Sequence, residues 1–312
     1  MEMVKIMKIY KNFDIKKNHK NSIILIGNFD GIHLGHQKLF SLAKKYKKKY
    51  SLKIGVLTFE PMPKMFFNKK ISNFRISSLK QKIDLLNNLG VDFVITKQFN
   101  KSFSKTSSLN FIKEILGKKL KPKFVFVSNN FRFGKNREGN VKQLVKFETL
   151  CSYKMIKPQP LLINNKMASS SLIRNLLQKG KLEKANKLLN RKWSIYGKVQ
   201  KGKQLGKKIG FPTANIDIKD YVLASPGVYA IKIKTSDKGR YLKGIANLGY
   251  RPTFNEKKIL LEAHLFNFSG NLYNKYLTVE FIKFIRKEKK FKNVIQLRKQ
   301  IKIDLLKAKK IK

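Results

Sequence analysis

Residues Gly27–His36 read GNFDGIHLGH, and the reading of this stretch decides the fold. It overlaps SIILIGN at residues 22–28, an apolar run of strand length. It leads into residues 34–49, where Leu34, Leu39, Leu42, Ala43 and Tyr46 fall near one helical face. A glycine-rich turn joining a buried strand to a helix is the phosphate-binding corner of an open parallel α/β sheet. Gly27, Gly31 and Gly35 allow backbone to approach a phosphate closely. The helix that follows offers unpaired N–H groups and the positive end of its dipole. His33 and His36 are three residues apart and share one face of the first turn. Two imidazoles there can donate hydrogen bonds to a triphosphate while charge redistributes during attack at the α-phosphorus. A metal site and a plain tight turn are the alternative readings of the pair.

Outward from this corner the pattern repeats. Lys53–Phe59 reads as a strand and Leu79–Leu89 as a helix ended by Gly90, Val91–Thr96 as a strand, Leu109–Leu116 as a helix, and Lys123–Val127 as a strand. Strands alternating with helices predict a parallel sheet covered on both faces. Ser170–Gln178 and Leu182–Leu189 read as two short helices. From Trp193 the signals become strands punctuated by Gly and Pro, which predicts a small β-barrel. A helix at about Val294–Lys309 ends the sequence. The expectation is an α/β nucleotide-binding domain over residues 1–186 and a β-barrel domain with a terminal helix over residues 187–312.

Composition narrows the classes. The chain has 312 residues, which suits two domains. Its formal net charge is +52, yet only nine of its 70 basic residues are Arg. Nucleic-acid surfaces favour clustered Arg with interleaved aromatics, whereas Lys is spread here through both halves. A basic nucleic-acid-binding protein is therefore kept as an alternative of a different class, and no specific nucleic acid is expected. A lone cysteine, Cys151, excludes an internal disulfide and a cysteine-built zinc site. No apolar run approaches the roughly 18 residues of a membrane span, and the start shows no signal-peptide pattern. A cytoplasmic protein without membrane partners, monomeric or weakly homo-oligomeric, is expected.

GNFDGIHLGHQ resembles the adenylyltransferase signature of prokaryotic bifunctional riboflavin kinase/FAD synthetases. TFEPMP at Thr58–Pro63, the segment headed by Arg75, NNFRFG at Asn129–Gly134 and SSSLIR at Ser169–Arg174 are similar to further motifs of that family, in its order. The resemblance implies that Gly27, Asn28, Phe29, Asp30, Gly31, Gly35, Ser170 and Arg174 bind ATP or its phosphates, with His33 and His36 catalytic. Arg174 would clamp phosphate oxygens as Arg can. Asn130 and Arg132 are expected in the flavin or nucleotide pocket. Met62 stands where the family has His; Met cannot donate a hydrogen bond. A chain acting mainly as a riboflavin kinase, with weakened adenylyltransfer, is therefore the alternative within enzymes.

The later half extends the resemblance. GKQLGKKIGFPTANI at Gly202–Ile216 is no Walker loop, since GxxxxGK[ST] is absent. It resembles the riboflavin kinase signature. By that resemblance Gly202, Lys208 and Gly210 cradle phosphate, and Thr213 and Asn215 bind Mg²⁺, a hard cation suited to oxygen ligands. NLGYRPTF at Asn247–Phe254 and LEAHLFNF at Leu261–Phe268 follow in the family's order. Glu262 is the expected kinase base, in a chain with 18 acidic residues. His264 shares its face of the strand and is read as structural. Arg286 is assigned to the flavin, with a fold role as its alternative. Two ATP-dependent reactions are thus implied: riboflavin to FMN, then FMN to FAD and pyrophosphate. With no GxGxxG after a strand, a flavin-using redox protein is disfavoured.

Overall fold

The computed structural model describes residues 7–68, 71, 74–163, 165–202, 206, 209–218, 220–235, 241–252 and 257–311. They divide into two compact units, Met1–Ile71 with Leu79–Ala168, and Ser72–Ser78 with Ser169–Lys312.

The first unit is built on six parallel strands: β1 (Lys8–Tyr10), β2 (Ile23–Ile26), β3 (Ile54–Glu60), β4 (Phe93–Gln98), β5 (Phe124–Phe126) and β6 (Lys154–Ile156). Their order is β1-β4-β3-β2-β5-β6. The chain winds outward from β2 through β3 to β4, then returns to the other side of β2 as β5. The winding reverses beside β2, and ligands of open α/β sheets bind at that reversal, beyond the strands' carboxyl ends. Helices α1 (Leu34–Tyr50) and α2 (Leu79–Asn88) lie in this unit. Alternation along β2 feeds two cores. Ile24 and Ile26 pack with Leu57, Ile95 and Val125, whereas Ile23 and Leu25 pack with Leu39, Phe40 and Ala43 of α1 and Leu86 of α2. All four β2 side chains are 2% exposed or less, and each such burial is worth about 1.5–3 kcal/mol. The continuous apolar run follows from that double covering.

The second unit is a closed antiparallel barrel of β7 (Ser194–Gln200), β8 (Ala214–Asp217), β9 (Gly227–Lys234), β10 (Leu242–Pro252), β11 (Lys257–Leu265) and β12 (Tyr276–Lys287). Around the barrel the order is β7-β8-β11-β10-β9-β12. Helices α3 (Ser170–Gln178) and α4 (Leu182–Leu189) belong to this unit, so the contacts divide the chain earlier than residue 186. The cause is visible in their hydrogen bonds. Ser225 N–H donates to the Leu177 carbonyl at 2.9 Å, and Asn186 accepts from Trp193 N–H at 2.7 Å and donates to the Phe281 carbonyl at 3.3 Å. Residues 74–78 join the same unit: Arg75 N–H donates to the Asp220 carbonyl, and the Trp193 indole donates to the Ile76 carbonyl. The terminal helix α5 (Val294–Lys309) packs on β9, β10 and β12. Among the described residues no helix is long and apolar enough to cross a membrane.

Candidate active sites

In the first unit the signature loop leaves β2 at the winding reversal, as its sequence position requires. Gly27 N–H still pairs with the Leu57 carbonyl at 3.1 Å. The chain then turns sharply: Phe29, Gly31 and Ile32 have φ of 47°, 77° and 38°. A left-handed conformation costs a residue with a side chain about 1–2 kcal/mol. The buried Phe29 and Ile32 side chains, 2% and 1% exposed, offset that cost and hold the loop. The Phe29 ring lies so close to Gly27 that a Cβ there would meet it at 3.2 Å.

His33 forms the N-cap of α1, and its carbonyl accepts from Gln37 N–H at 2.9 Å. Gln37 Nε2 in turn donates to the Ile32 carbonyl at 3.0 Å. The His33 and His36 rings stack with centroids 3.8 Å apart and planes 24° from parallel. Phe29 meets the His36 ring edgewise at 5.2 Å. A side chain on Gly35 would press on the His33 ring and the Ala168 carbonyl, each at 3.1 Å, which accounts for the glycine between the histidines. The Nδ1 of His36 is buried and meets no partner among the described residues. Burial first, then the charges of His33 and Lys82, hold the His36 imidazole well below its ordinary range. It is neutral at physiological pH, able to hydrogen-bond a phosphate without carrying charge.

The other border of this edge is the segment after β5. Asn130 and Arg132 lie there, both exposed. Asn130 Oδ1 accepts from the Ser128 hydroxyl at 3.1 Å, and Arg132 pairs with Asn140 in a two-stranded ribbon. Met62 is 2% exposed, its carbonyl accepting from Met65 N–H at 2.8 Å. Ser170 and Arg174 belong to α3 in the second unit. The Arg174 guanidinium stacks 3.7 Å above the Phe74 ring, and its Nε donates to the Phe74 carbonyl at 2.8 Å.

Lys82 closes the segment headed by Arg75, and in a chain where Lys is everywhere its residue type does not set it apart. Its side chain is 0% exposed, and its Nζ donates to the Thr58 hydroxyl at 3.4 Å. Thr58, also 0% exposed, donates to the Asn28 carbonyl at 3.3 Å. The available signal was positional: Lys82 sits three residues after Leu79 and four before Leu86, on the apolar face of α2.

In the barrel, strand register assembles the second site. Asn215 on β8 stands opposite Glu262 on β11, and Glu262 stands opposite Asn247 on β10. Directly paired residues share a face of the sheet. Leu261 and Ala263 are buried, while Glu262 and His264 between and beyond them are half-buried. Asn247 was quoted within a motif but not singled out; its place beside Glu262 depends on strand pairing.

Two loop glycines pack on the PTAN residues. A Cβ on Gly202 would overlap the Asn215 carboxamide, and one on Gly206 would lie 3.2 Å from the Thr213 hydroxyl oxygen. Gly210 has a φ of 86°, in the turn that returns the chain to β8. Lys208 lies outside the described residues. His264 Nδ1 lies 2.8 Å from the Pro212 carbonyl, tying β11 to the loop. Asn215 is 5% exposed, and its Oδ1 is buried without a partner among the described residues. An orphaned carboxamide oxygen on a strand residue paired with a glutamate fits a hard cation. Among the described residues no three His, Cys, Asp or Glu gather around a metal position, so substrate oxygens must complete such a shell.

Gly202→Ala is expected to push the Asn215 carboxamide aside and to lower the activity of the barrel's site about 100-fold, the scale of a 1 Å misplacement. The activity of the first unit's site should stay unchanged; comparing both rates in one preparation checks this.

Arg286 is three strands away from β11 around the barrel in either direction. Its guanidinium binds the Asp304 carboxylate at 2.7 and 2.8 Å and the Lys287 carbonyl at 2.9 Å. Asp304 is 1% exposed and also accepts from Gln300 at 2.9 Å. This geometry favours the fold role for Arg286, fastening α5 to β12.

Comparison with known proteins agrees with both halves. A family model described as FAD synthetase matches residues 15–172, and one described as riboflavin kinase matches residues 189–312. Two proteins of Buchnera aphidicola, each described as a bifunctional riboflavin kinase/FMN adenylyltransferase, are 41% identical to this chain. The one from subspecies Schizaphis graminum covers 94% of each chain and the one from Acyrthosiphon pisum 96%. A solved structure described as a macrolide-efflux protein from Streptococcus pneumoniae matches with a TM-score of 0.84 at 26% identity, over 98% of this chain and 100% of its own.

Proposed function

The chain belongs to the family of bifunctional riboflavin kinase/FMN adenylyltransferases, and from that premise we propose which of its groups perform each reaction. The enzyme phosphorylates riboflavin to FMN and then adenylylates FMN to FAD, with ATP as co-substrate in both steps.

For phosphorylation, Glu262 takes the proton of the terminal ribityl hydroxyl as that oxygen attacks the γ-phosphorus and ADP leaves. Thr213 and Asn215 would hold Mg²⁺, which when bound neutralises phosphate charge. The observation carrying this assignment is the orphaned Oδ1 of Asn215 directly across the strands from Glu262. Gly202, Gly210 and Lys208 belong to the loop assigned to the phosphates.

For adenylyl transfer, an FMN phosphate oxygen attacks the α-phosphorus of ATP and the bond to pyrophosphate breaks. His33 and neutral His36 hydrogen-bond the phosphate oxygens, and the backbone of Gly27, Asn28, Phe29, Asp30, Gly31 and Gly35 lines the nucleotide, with the start of α1 adding its dipole. Asn130 and Arg132 are assigned to the flavin. Ser170 and Arg174 are assigned to nucleotide phosphate by resemblance alone. The net charge of +52 is given no role in either reaction, and a cytoplasmic monomer or weak homo-oligomer remains the expectation.

Incubation of the chain with riboflavin, ATP and Mg²⁺ is expected to yield FMN and then FAD by chromatography; neither product would refute the reading. Met62→His tests the kinase-dominated alternative. With adenylyl transfer intact, the substitution should change the rate from supplied FMN by less than about threefold. A gain of tenfold or more, one power of ten being about 1.4 kcal/mol of barrier, would favour the alternative.

A further inference from the structure

We propose that Lys82 is a positioning residue of adenylyl transfer: its buried ammonium, bonded through Thr58 to the Asn28 carbonyl, holds the signature loop in shape. The inference rests on the assignment of His33 and His36 to that reaction.

Lys82 comes from α2 and points into the sheet's carboxyl edge with no exposed surface. A buried ammonium is costly to desolvate, and such groups persist where the charge has a use. The contacts run in sequence from Lys82 Nζ to the Thr58 hydroxyl at 3.4 Å, and from that hydroxyl to the Asn28 carbonyl at 3.3 Å. Asn28 is the residue immediately before the strained turn at Phe29. The chain of bonds therefore spans α2, β3 and the loop. Among the described residues, the titratable groups at this carboxyl edge include His33 beside His36, Asp30 within the loop, Glu60 at the end of β3, Lys97 opposite Phe59 near the end of β4, and Lys82. Burial and then the His33 charge do most to lower His36, and the Lys82 charge adds to them. A neutral His36 leaves the incoming polyphosphate facing a preorganised set of donors rather than an imidazolium already paired with another anion.

Two variants of the full chain, Lys82→Met and Lys82→Arg, test this with three readouts: FAD from supplied FMN, FMN from riboflavin, and the His36 ring titration by NMR, simplified by there being four histidines. Lys82→Met is expected to lower kcat for FAD formation on the order of 100-fold, with a smaller effect on the ATP KM. The His36 midpoint should rise and riboflavin phosphorylation should be unchanged. Lys82→Arg keeps the charge, so the midpoint should stay and much of the rate should return. FAD formation by Lys82→Met within threefold of wild type overturns the proposal. So does a lost rate with an unmoved His36 midpoint, which is the mark of a packing role. Where Lys82→Met does not fold, Thr58→Val cuts the bonds but keeps the ammonium; it should slow FAD formation about tenfold, and a wild-type rate overturns the proposal. Failure of the underlying assignment shows separately, as His36→Ala that still makes FAD.

Discussion

Glu262→Gln slows FMN formation from riboflavin and ATP about 1,000-fold while FMN-to-FAD conversion continues at the wild-type rate. The variant keeps the side chain's size and hydrogen-bonding reach but cannot accept the proton of the attacking hydroxyl. General-base catalysis contributes about 10² to 10⁴ in rate, so a loss near 1,000-fold in kcat is expected, about 4 kcal/mol of barrier. Glu262 stands between Asn215 and Asn247 on neighbouring strands, so an isosteric change leaves the register intact. The second reaction of the same chain reports folding without a separate control. Retention of more than a tenth of the kinase rate would remove Glu262 from the role of base.

His36→Ala gives the reciprocal outcome: FMN accumulates and FAD formation falls about 100- to 1,000-fold, the cost of losing one preorganised donor. Part of that loss comes from His33, whose ring stacks on His36 at 3.8 Å and would lose its support. Phosphorylation should be unaffected. The pH dependence of stability should change as well. His36 in the folded chain resists protonation well below its ordinary value of 6.5. Below that value the unfolded chain binds the proton and the folded chain does not, so the site costs stability progressively as pH falls. His36→Ala should therefore flatten the acid side of the melting-temperature profile below about pH 6.5. A profile as steep as wild type, or FAD formation within tenfold of it, would count against the assignment.

Much of the fold was legible because its signals are local. The α3, α4 and α5 boundaries fall where the helical pattern puts them, and the β2–loop–α1 corner carries its glycines and histidines within ten residues. The edge strand β1 was not legible. It is three residues long, two of them exposed, and shows no period until β4 pairs with it. Which unit the helices α3 and α4 join was not legible for a similar reason. The apolar faces of α3 and α4 announce helices but not the surface they cover, and the bonds to Ser225, Trp193 and Phe281 decide that.

The amino-acid sequence by itself determined the two chemistries, since HxGH and PTAN place their reactive groups within two or three residues of one another, where local geometry alone sets the spacing. Tertiary structure decided the rest. Barrel closure put Glu262 across from Asn215 and turned Arg286 toward Asp304, because register and strand order fix which distant residues share a face. Packing of α2 against the sheet singled out Lys82 among many lysines, because burial, and not residue type, is what makes a charge consequential. The opening stretch is thus tied, through Thr58, to a lysine that lies in another part of the chain.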